Sequence, residues 1–245
     1  FIFHLAAQSL VKESYLNPRY TFETNSLGTL NLLESLKKYD SKKICSVVIV
    51  TSDKSYKNLE LKRGYKEEDI LGGYDPYSAS KACAELIIQS YFKSFLLKNK
   101  KINVSVARAG NVIGGGDWSK NRLIPDCIRS INSKKKLLIR FPKSTRPWQY
   151  VLEPLYGYML LAIKQKKNLK LNGQVFNFGP NNRNSVTVIE LVKKIKSQWK
   201  SLNWKIVKFK KNAYESKLLK LNSNKAFKFL NWKCYFNPHQ TTNAV

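Results

Sequence analysis

Residues 45–54 read CSVVIVTSDK, and this stretch decides the fold class. Its first six residues are mostly β-branched and apolar, which is typical of a strand buried on both faces of a parallel sheet. The polar residues Thr51, Ser52, Asp53 and Lys54 follow at once. In an open α/β sheet, ligands bind beyond the carboxyl ends of the strands, so this position favours a binding crevice. Polar residues are common at strand ends, so the tetrapeptide alone is a weak indication.

Strand-like and helix-like segments alternate on both sides of this stretch. Apolar residues recur at helical spacing in residues 20–39 and 78–97, while apolar runs at residues 1–6 and 102–107 predict two more strands. This alternation predicts an α/β fold in which helices cover a doubly wound parallel sheet. The later pattern predicts helices at residues 122–131, 151–164 and 186–199, and strands at residues 137–141, 175–178 and 204–209.

The chain of 245 residues carries 44 Lys and Arg against 16 Asp and Glu, a formal net charge of +28. Lysine supplies 36 of the 44 basic residues and is spread along the chain, whereas nucleic-acid readers usually combine clustered bases with arginine forks or stacking aromatics. We therefore expect no nucleic-acid partner and interpret the charge as a field that attracts an anionic small substrate. No apolar run reaches the roughly 18 residues that span a bilayer, so we expect no membrane partner.

The cysteines predict the compartment and argue against a metal site. The chain has four cysteines and two histidines, and no two cysteines lie within three residues of each other. This spacing offers no CxxC pair, and a zinc site is hard to assemble from it. Scattered cysteines suit a reducing compartment, and no signal-peptide pattern is visible, so we expect a cytoplasmic location.

Tyr77 and Lys81 form a YxxxK motif at the start of the predicted helix 78–97. Side chains four residues apart lie one turn apart on the same helix face. An ammonium beside a phenol stabilises the phenolate, so we expect a lowered pKa that lets Tyr77 act as a base near neutral pH. YxxxK is common by chance, but here it follows a strand with the polar end described above.

A glycine-rich stretch, AGNVIGGGDW at residues 109–118, follows the next predicted strand. Its glycines allow the backbone to approach a ligand, and the Asn111 amide offers both a donor and an acceptor. No Lys-Ser/Thr follows, so the stretch is not a phosphate loop of the GxxxxGK type. The alternative interpretation is a flexible turn.

These motifs together resemble the extended short-chain dehydrogenase/reductase superfamily, and within it the CDP-glucose 4,6-dehydratases. YxxxK marks only the superfamily, whereas Lys54 after Ser-Asp, the GGYDPYSASK stretch and GNVIGGGDW with RPWQ are sharper. The resemblance covers nearly the whole chain. Its segments are HLAAQ at residues 4–8, TSDKSY at 51–56, DPYSASKACAEL at 75–86, ARAGNVIGGGDW at 107–118, RLIPD at 122–126 and RPWQYVLEP at 146–154.

The resemblance implies an internal redox cycle on a nucleotide sugar, with NAD as the cofactor. Tyr77 would take the proton of the sugar 4-hydroxyl as C4 is oxidised, Ser52 would hydrogen-bond the 4-oxygen, and Lys81 would hold the nicotinamide ribose. Oxidation at C4 makes the C5 proton acidic, and Asp53 would protonate the departing 6-hydroxyl. Lys54 stands where relatives acting on dTDP-glucose carry Glu, and would remove the C5 proton if its pKa fell from the usual ~10.4. Hydride return to C6 would leave a 4-keto-6-deoxy sugar.

The resemblance also implies binding residues outside these two motifs. Beside Tyr77 and Lys81, the cofactor would contact the strand end after His4, at Leu5, Ala6 and Ala7. Arginine suits a pyrophosphate because its fork donates two parallel hydrogen bonds. The positions that match contacts to the sugar nucleotide are Asn111, Arg122 and Arg146.

The resemblance further implies a domain division. We expect residues 1–112 to form the C-terminal half of a Rossmann-like NAD-binding domain and residues 113–245 to form mainly a substrate-binding lobe. Segments near residues 150–165 and 174–179 should return to the Rossmann-like domain. The superfamily's GxxGxxG fingerprint, which seats the cofactor pyrophosphate on a helix N-terminus, does not occur in these residues. We therefore expect a fragment of a longer protein, which would form a homodimer or homotetramer.

Two alternatives stay open at this point. The first is another nucleotide-sugar 4,6-dehydratase or a 4-epimerase of the same superfamily, although an epimerase has no use for an acid–base pair such as Asp53 and Lys54. The second is a non-catalytic basic binding protein on the same fold. The charge of +28 favours this second alternative slightly, and the presence of Ser52, Tyr77 and Lys81 disfavours it.

Overall fold

The computed structural model describes residues 1–180, 186–207 and 218–245. The strands in this part of the chain are β1 (Ile2–His4), β2 (Cys45–Ser52), β3 (Ile102–Ala109), β4 (Val112–Ile113), β5 (Leu137–Ile139), β6 (Thr145–Arg146), β7 (Gln149–Tyr150), β8 (Val175–Phe178), β9 (Val186–Thr187) and β10 (Trp204–Ile206). The helices are α1 (Val11–Leu16), α2 (Pro18–Phe22), α3 (Gly28–Lys37), α4 (Pro76–Tyr91), α5 (Leu123–Asn132), α6 (Leu152–Lys167), α7 (Val188–Gln198), α8 (Asn224–Leu230) and α9 (Pro238–Asn243).

A four-stranded parallel sheet organises the molecule, in the order β1-β2-β3-β8. β2 and β3 lie at its centre and are buried almost throughout, as their β-branched sequences predict. Together with the helices on its two faces, this sheet confirms the predicted α/β class.

Alternation along the strands divides the core into two layers. Successive strand side chains point to opposite faces. Val47 and Ile49 of β2 therefore pack in one cluster with α3 and α4, whereas Val48 packs in a second cluster with α6 and α8. Both layers are apolar, which explains why β2 reads as an unbroken hydrophobic run.

The structure differs from the predicted element bounds in several places. The predicted helix 20–39 is α2 and α3 joined by a π-helical turn at Glu23–Leu27, and the predicted helix 78–97 is α4 followed by a similar turn at Phe92–Leu96. The short helices α1 and α8 have too few turns to show a helical apolar period, and sequence reasoning missed both. The predicted strand 204–209 is confirmed at β10, while residues 208–209 lie outside the described residues.

None of the described helices is long and apolar enough to cross a bilayer. The domain boundary at residue 112 stays a prediction.

A third cluster lies beyond the sheet and is built from residues that follow β3. It contains Ile113, Cys127 of α5, Leu137 of β5, Trp148 and Leu191 of α7. The parallel pair β4–β7 connects this cluster to the sheet end, because Val112 pairs with Gln149 and Ile113 with Tyr150. This pairing brings the glycine-rich stretch next to RPWQ, although the two are far apart in sequence.

Close packing of α6 on the sheet gives a stability prediction. A Cβ at Gly157 would lie 2.5 Å from Phe178 Cδ1 and 3.0 Å from Trp232 Nε1, both in the rigid core. Gly157→Ala should therefore lower the free energy of unfolding by about 1–3 kcal/mol, measured by denaturant titration. Gly115→Ala is the matched control, since a Cβ there meets nothing within 4 Å. Equal stabilities of the two variants would contradict this packing.

Candidate active site

The two central strands end side by side. Ser52, the last residue of β2, pairs in register with Ala109, the last residue of β3. The segments that follow them, Asp53-Lys54 and Gly110-Asn111, therefore leave the same edge of the sheet. Parallel strands place their carboxyl ends together, which is where open α/β sheets bind ligands.

A tight turn holds the residues after β2. Ser52 Oγ accepts a hydrogen bond from the Lys54 backbone N–H at 3.2 Å and donates one to Asp53 Oδ1 at 3.0 Å. The turn is the 3₁₀ helix Asp53–Ser55. Three consecutive side chains of the TSDK stretch are thus positioned by one capped turn.

The start of α4 places Tyr77 opposite this turn. Asp75 caps the helix by accepting hydrogen bonds from the Ser78 N–H at 3.0 Å and the Ser78 hydroxyl at 2.6 Å, and Pro76 occupies the first turn. Tyr77 consequently lies in the first turn, where its side chain lines the same cleft as Ser52. The capping role of Asp75 was not predicted, although Asp before Pro at a helix start is a recognisable signal.

A cleft of about 290 Å³ opens at this edge. It brings together six of the residues singled out from the sequence, which are Ser52, Asp53, Lys54, Tyr77, Asn111 and Arg122. A neighbouring cavity of about 600 Å³ shares Asn111 and contains Arg146. The predicted cofactor residues Leu5, Ala6, Ala7 and Lys81 do not line the described part of either cavity.

Trp148, Lys12 and Asn121 line both cavities, and sequence reasoning missed all three. Trp148 stands in the RPWQ segment, and its indole Nε1 is buried without a hydrogen-bond partner among the described residues. The segment itself was a signal, since RPWQ carried part of the resemblance. Lys12 and Asn121 have no comparable signal, because each lies in a segment with no motif.

Asp53 is the most deeply buried carboxylate of the cleft, at 2 % exposure. Its Oδ2 has no hydrogen-bond partner in the described residues. A Cβ at Gly110 would lie 2.7 Å from Pro147 Cγ and 3.4 Å from this oxygen, so the backbone passes close by. Burial raises the pKa of Asp53, against the opposing influence of Lys54 and Arg146. A carboxyl with a raised pKa is suited to carrying a proton.

The electrostatics of Tyr77 differ from the expectation. Burial raises the pKa of Tyr77 to about 12, because the phenolate loses its hydration, while Ser52 and Arg122 lower it only in part. The predicted lowering of this pKa is therefore wrong for the described chain. A cation must approach the phenol before Tyr77 acts as a base near neutral pH.

Lys81 lies one helical turn from Tyr77 and is 6 % exposed. Burial lowers the pKa of Lys81 to about 8, and the Glu85 carboxylate acts in the opposite direction. His4, at the end of β1, is close enough for the Lys81 charge to add to the effect of burial in lowering the pKa of His4. The charge of Lys81, which lies on α4, is therefore felt at the end of β1.

Hydrogen bonds attach the HLAAQ segment to α4 through Asn25. The Asn25 side chain accepts from the Gln8 N–H at 2.8 Å and donates to Gln8 O at 3.0 Å and to Ser80 Oγ at 2.9 Å. Asn25 lies in the π-helical turn Glu23–Leu27, which is where a helix commonly departs from regular geometry for a functional contact. Sequence reasoning missed this contact, since nothing in the pattern marks the turn.

The sequence of the chain is similar to sugar-nucleotide dehydratases. The family described as GDP-mannose 4,6 dehydratase matches residues 1–243. CDP-glucose 4,6-dehydratase of Salmonella typhimurium is 42 % identical, over 100 % of this chain and 68 % of that protein. dTDP-D-glucose 4,6-dehydratase of Dictyostelium discoideum is 32 % identical, over 73 % of this chain and 40 % of that protein.

Solved structures agree with this result. dTDP-glucose 4,6-dehydratase of Bacillus anthracis, in complex with NAD, superposes with a TM-score of 0.77 at 26 % identity and covers 98 % of this chain and 69 % of that one. UDP-glucuronic acid 4-epimerase of Bacillus cereus has a TM-score of 0.83 at 21 % identity, covering 98 % of this chain and 72 % of that one, a likeness of fold alone. The resemblance seen in the sequence is confirmed, because the family match spans nearly all of the chain, which therefore belongs to the GDP-mannose 4,6 dehydratase family of nucleotide-sugar dehydratases.

Proposed function

We propose that this chain carries the active site of an NAD-dependent CDP-glucose 4,6-dehydratase, a hydro-lyase that forms CDP-4-keto-6-deoxyglucose. The observation that supports this most directly is the convergence of Ser52, Asp53, Lys54 and Tyr77 in one cleft. Oxidation needs a base and an oxygen-binding hydroxyl, and elimination needs an acid and a second base. All four group types are present, from two elements that the sheet edge brings together.

NAD fits the groups available beside this cleft. The donor set of Tyr77 and Lys81 offers a hydroxyl and an ammonium, which suit the hydroxyls of a ribose. Leu5 is half exposed and Ala6 is small and exposed, so the end of β1 leaves room for a flat ring. These residues and Ala7 would hold the cofactor. When bound, NAD supplies the chemistry that oxidises the sugar at C4 and later reduces it at C6.

Tyr77 and Ser52 act on the sugar 4-hydroxyl. Tyr77 accepts the proton of this hydroxyl, and Ser52, which lines the same cleft, holds the oxygen as it becomes a carbonyl. Burial raises the pKa of Tyr77, and the nearby charge of Arg122 opposes this rise. Because the cleft is partly buried, these groups work with little competition from water.

Asp53 and Lys54 act on the elimination of water. Asp53 protonates the departing 6-hydroxyl, a task that its burial and raised pKa support. Lys54 is half-buried at the same turn and removes the C5 proton. The C5–H is acidic only while C4 is a ketone, so the two pairs of residues act in order.

Asn111, Arg122 and Arg146 bind the nucleotide part of the substrate. Asn111 lines both cavities, Arg122 lines the smaller and Arg146 the larger. A substrate that spans the two cavities would place its sugar beside Tyr77 and its pyrophosphate near the arginines, whose forked donors suit phosphate oxygens. The net charge of +28 favours the approach of such an anion.

The test of the substrate uses the full-length protein with NAD and four sugar nucleotides. We expect a 4-keto product, read as alkali-induced absorbance and by mass spectrometry as loss of water, from CDP-glucose and not from dTDP-glucose, UDP-glucose or GDP-mannose. A keto product from another of these substrates alone would overturn the assignment of CDP-glucose. A product of unchanged mass inverted at C4 would instead indicate an epimerase.

We further propose that the full-length protein is a homodimer or homotetramer in the cytoplasm. Leu86 of α4 and Phe95 and Leu97 just beyond it are apolar and exposed, which supports self-association on this side. The four cysteines are unpaired, as a reducing compartment requires. Light scattering of the purified protein tests the first statement, and a monomer at micromolar concentration would contradict it.

A further inference from the structure

A buried carboxylate outside the cleft connects three of the elements that carry the site. Glu85 is fully buried on α4, one turn after Lys81. Its Oε1 accepts hydrogen bonds from Thr51 Oγ1 at 2.7 Å and from Arg108 Nε at 2.8 Å. Its Oε2 accepts from Arg108 Nε at 3.0 Å and from the Arg108 Nη2 group.

The partners of Glu85 are the neighbours in sequence of the active-site residues. Thr51 precedes Ser52 and Asp53 at the end of β2, and Arg108 precedes the Gly110-Asn111 segment at the end of β3. Arg108 is itself 1 % exposed, and lies over the Tyr56 ring at 4.4 Å. One carboxylate therefore ties α4 to the ends of both central strands.

Glu85 also favours the charged form of Lys81, against the effect of burial. Taking an ammonium out of water is unfavourable unless an anion is near, and Glu85 is the carboxylate one turn away on the same helix. We infer that Glu85 is a positioning residue, which keeps Lys81 protonated in its buried place and holds the three site-bearing elements in register. This inference rests on the proposed function, since it matters for catalysis only if Lys81 must be an ammonium.

The other groups around Lys81 do not replace Glu85. The helix segment that packs across α4 presents the neutral side chains Asn25 and Ser26, which hydrogen-bond Ser80. Among the described residues, the titratable group that faces Lys81 besides Glu85 is His4 at the end of β1. Tyr77, one turn before Lys81, faces Asp53, Asp75 and Arg122. Arg108 of β3 lies behind Glu85 and donates hydrogen bonds to it. Burial and a charged His4 both disfavour the ammonium, so removal of Glu85 leaves Lys81 in surroundings that favour the neutral amine.

The test is the titration of Lys81 in the full-length protein without substrate. The ¹³Cε resonance of Lys81 is followed against pH in lysine-labelled protein and identified by its absence in Lys81→Arg. Glu85→Gln keeps the shape and an accepting oxygen but removes the charge. We expect the titration midpoint of Lys81 to fall by about one pH unit, a roughly tenfold change in the ratio of ammonium to amine. The alkaline limb of kcat/KM should move to lower pH with it.

Two further variants keep the test decisive. Glu85→Gln leaves Arg108 as an unpaired buried cation, so the double variant with Arg108→Met serves if the single variant does not fold. We expect its Lys81 midpoint to fall as well. Glu34→Gln is the matched control, because Glu34 bonds Tyr91 at the far end of α4 at 2.6 Å, and it should leave the midpoint unchanged.

The outcomes separate this inference from the proposed function. An unchanged Lys81 midpoint in a folded Glu85 variant overturns the inference, whatever the enzyme does. If the Lys81 midpoint falls in the Glu85 variant but the parent protein turns over no sugar nucleotide, the electrostatic role of Glu85 is supported and the proposed function is contradicted. A lowered midpoint with an unmoved alkaline limb shows that catalysis does not depend on the Lys81 charge, and overturns the inference as a statement about positioning for catalysis.

Discussion

Tyr77→Phe should lower the turnover of CDP-glucose by about 10³-fold or more, because it removes the phenol hydroxyl that lines the cleft at the start of α4 and takes the 4-hydroxyl proton. Phenylalanine preserves the ring in its buried place, so the fold and the affinity for CDP-glucose should change little. The measurements are the rate of 4-keto product formation and the dissociation constant from calorimetry. In D₂O, substrate recovered from this variant should carry no deuterium at C5, since C4 is not oxidised.

Tyr156→Phe is the matched control for this change. Tyr156 lies on α6 and is 49 % exposed, so loss of its hydroxyl should leave turnover within about twofold of the parent. If Tyr77→Phe retained full turnover, Tyr77 would not be the base. A variant that lost binding and turnover to the same degree would assign Tyr77 to binding alone.

Asp53→Asn should lower the dehydration rate by about 10²–10⁴-fold, because an amide of the same shape cannot give a proton to the departing 6-hydroxyl. The earlier steps depend on Tyr77, Ser52 and Lys54 and should continue. Substrate recovered from D₂O should therefore gain deuterium at C5 while no 4-keto product accumulates. Mass spectrometry of the recovered sugar measures both results.

The pattern of exchange distinguishes the two variants. Tyr77→Phe should block C5 exchange and dehydration together, whereas Asp53→Asn should block dehydration alone. Asp40→Asn is the control, since the Asp40 side chain is 96 % exposed and pairs with Lys101, which precedes β3 at the end opposite the cleft. Normal dehydration by Asp53→Asn would show that another group supplies the proton.

The parts of the site that sequence reasoning found are those encoded in short segments. TSDK and YxxxK each lie at one end of one element, so their side chains share a location whatever the rest of the chain does. The sequence did not predict the contacts of Glu85, because they join α4 to β2 and β3 at sequence separations of 34 and 23 residues. The spacing of Lys81 and Glu85 was visible, but nothing local showed that Glu85 is buried against Arg108.

The expected lowering of the pKa of Tyr77 was wrong for a related reason. The spacing of Tyr77 and Lys81 predicts an ammonium that lowers the pKa of the phenol, yet burial raises it to about 12. The free-energy cost of burying a charge depends on all the groups packed around it, and the spacing of two residues does not predict how deeply they are buried.

The sequence by itself determined the α/β class, the parallel sheet and the four polar side chains of the cleft at the end of β2 and the start of α4, because hydrophobic periodicity and strand ends are local properties of the chain. The tertiary structure alone decided that Arg146 lies in a second cavity, that Asn25 ties the HLAAQ segment to α4, and that Glu85 and Arg108 share the space behind Lys81. These are relations between segments distant in sequence, and only the packing of helices on both faces of the sheet brings their side chains into contact.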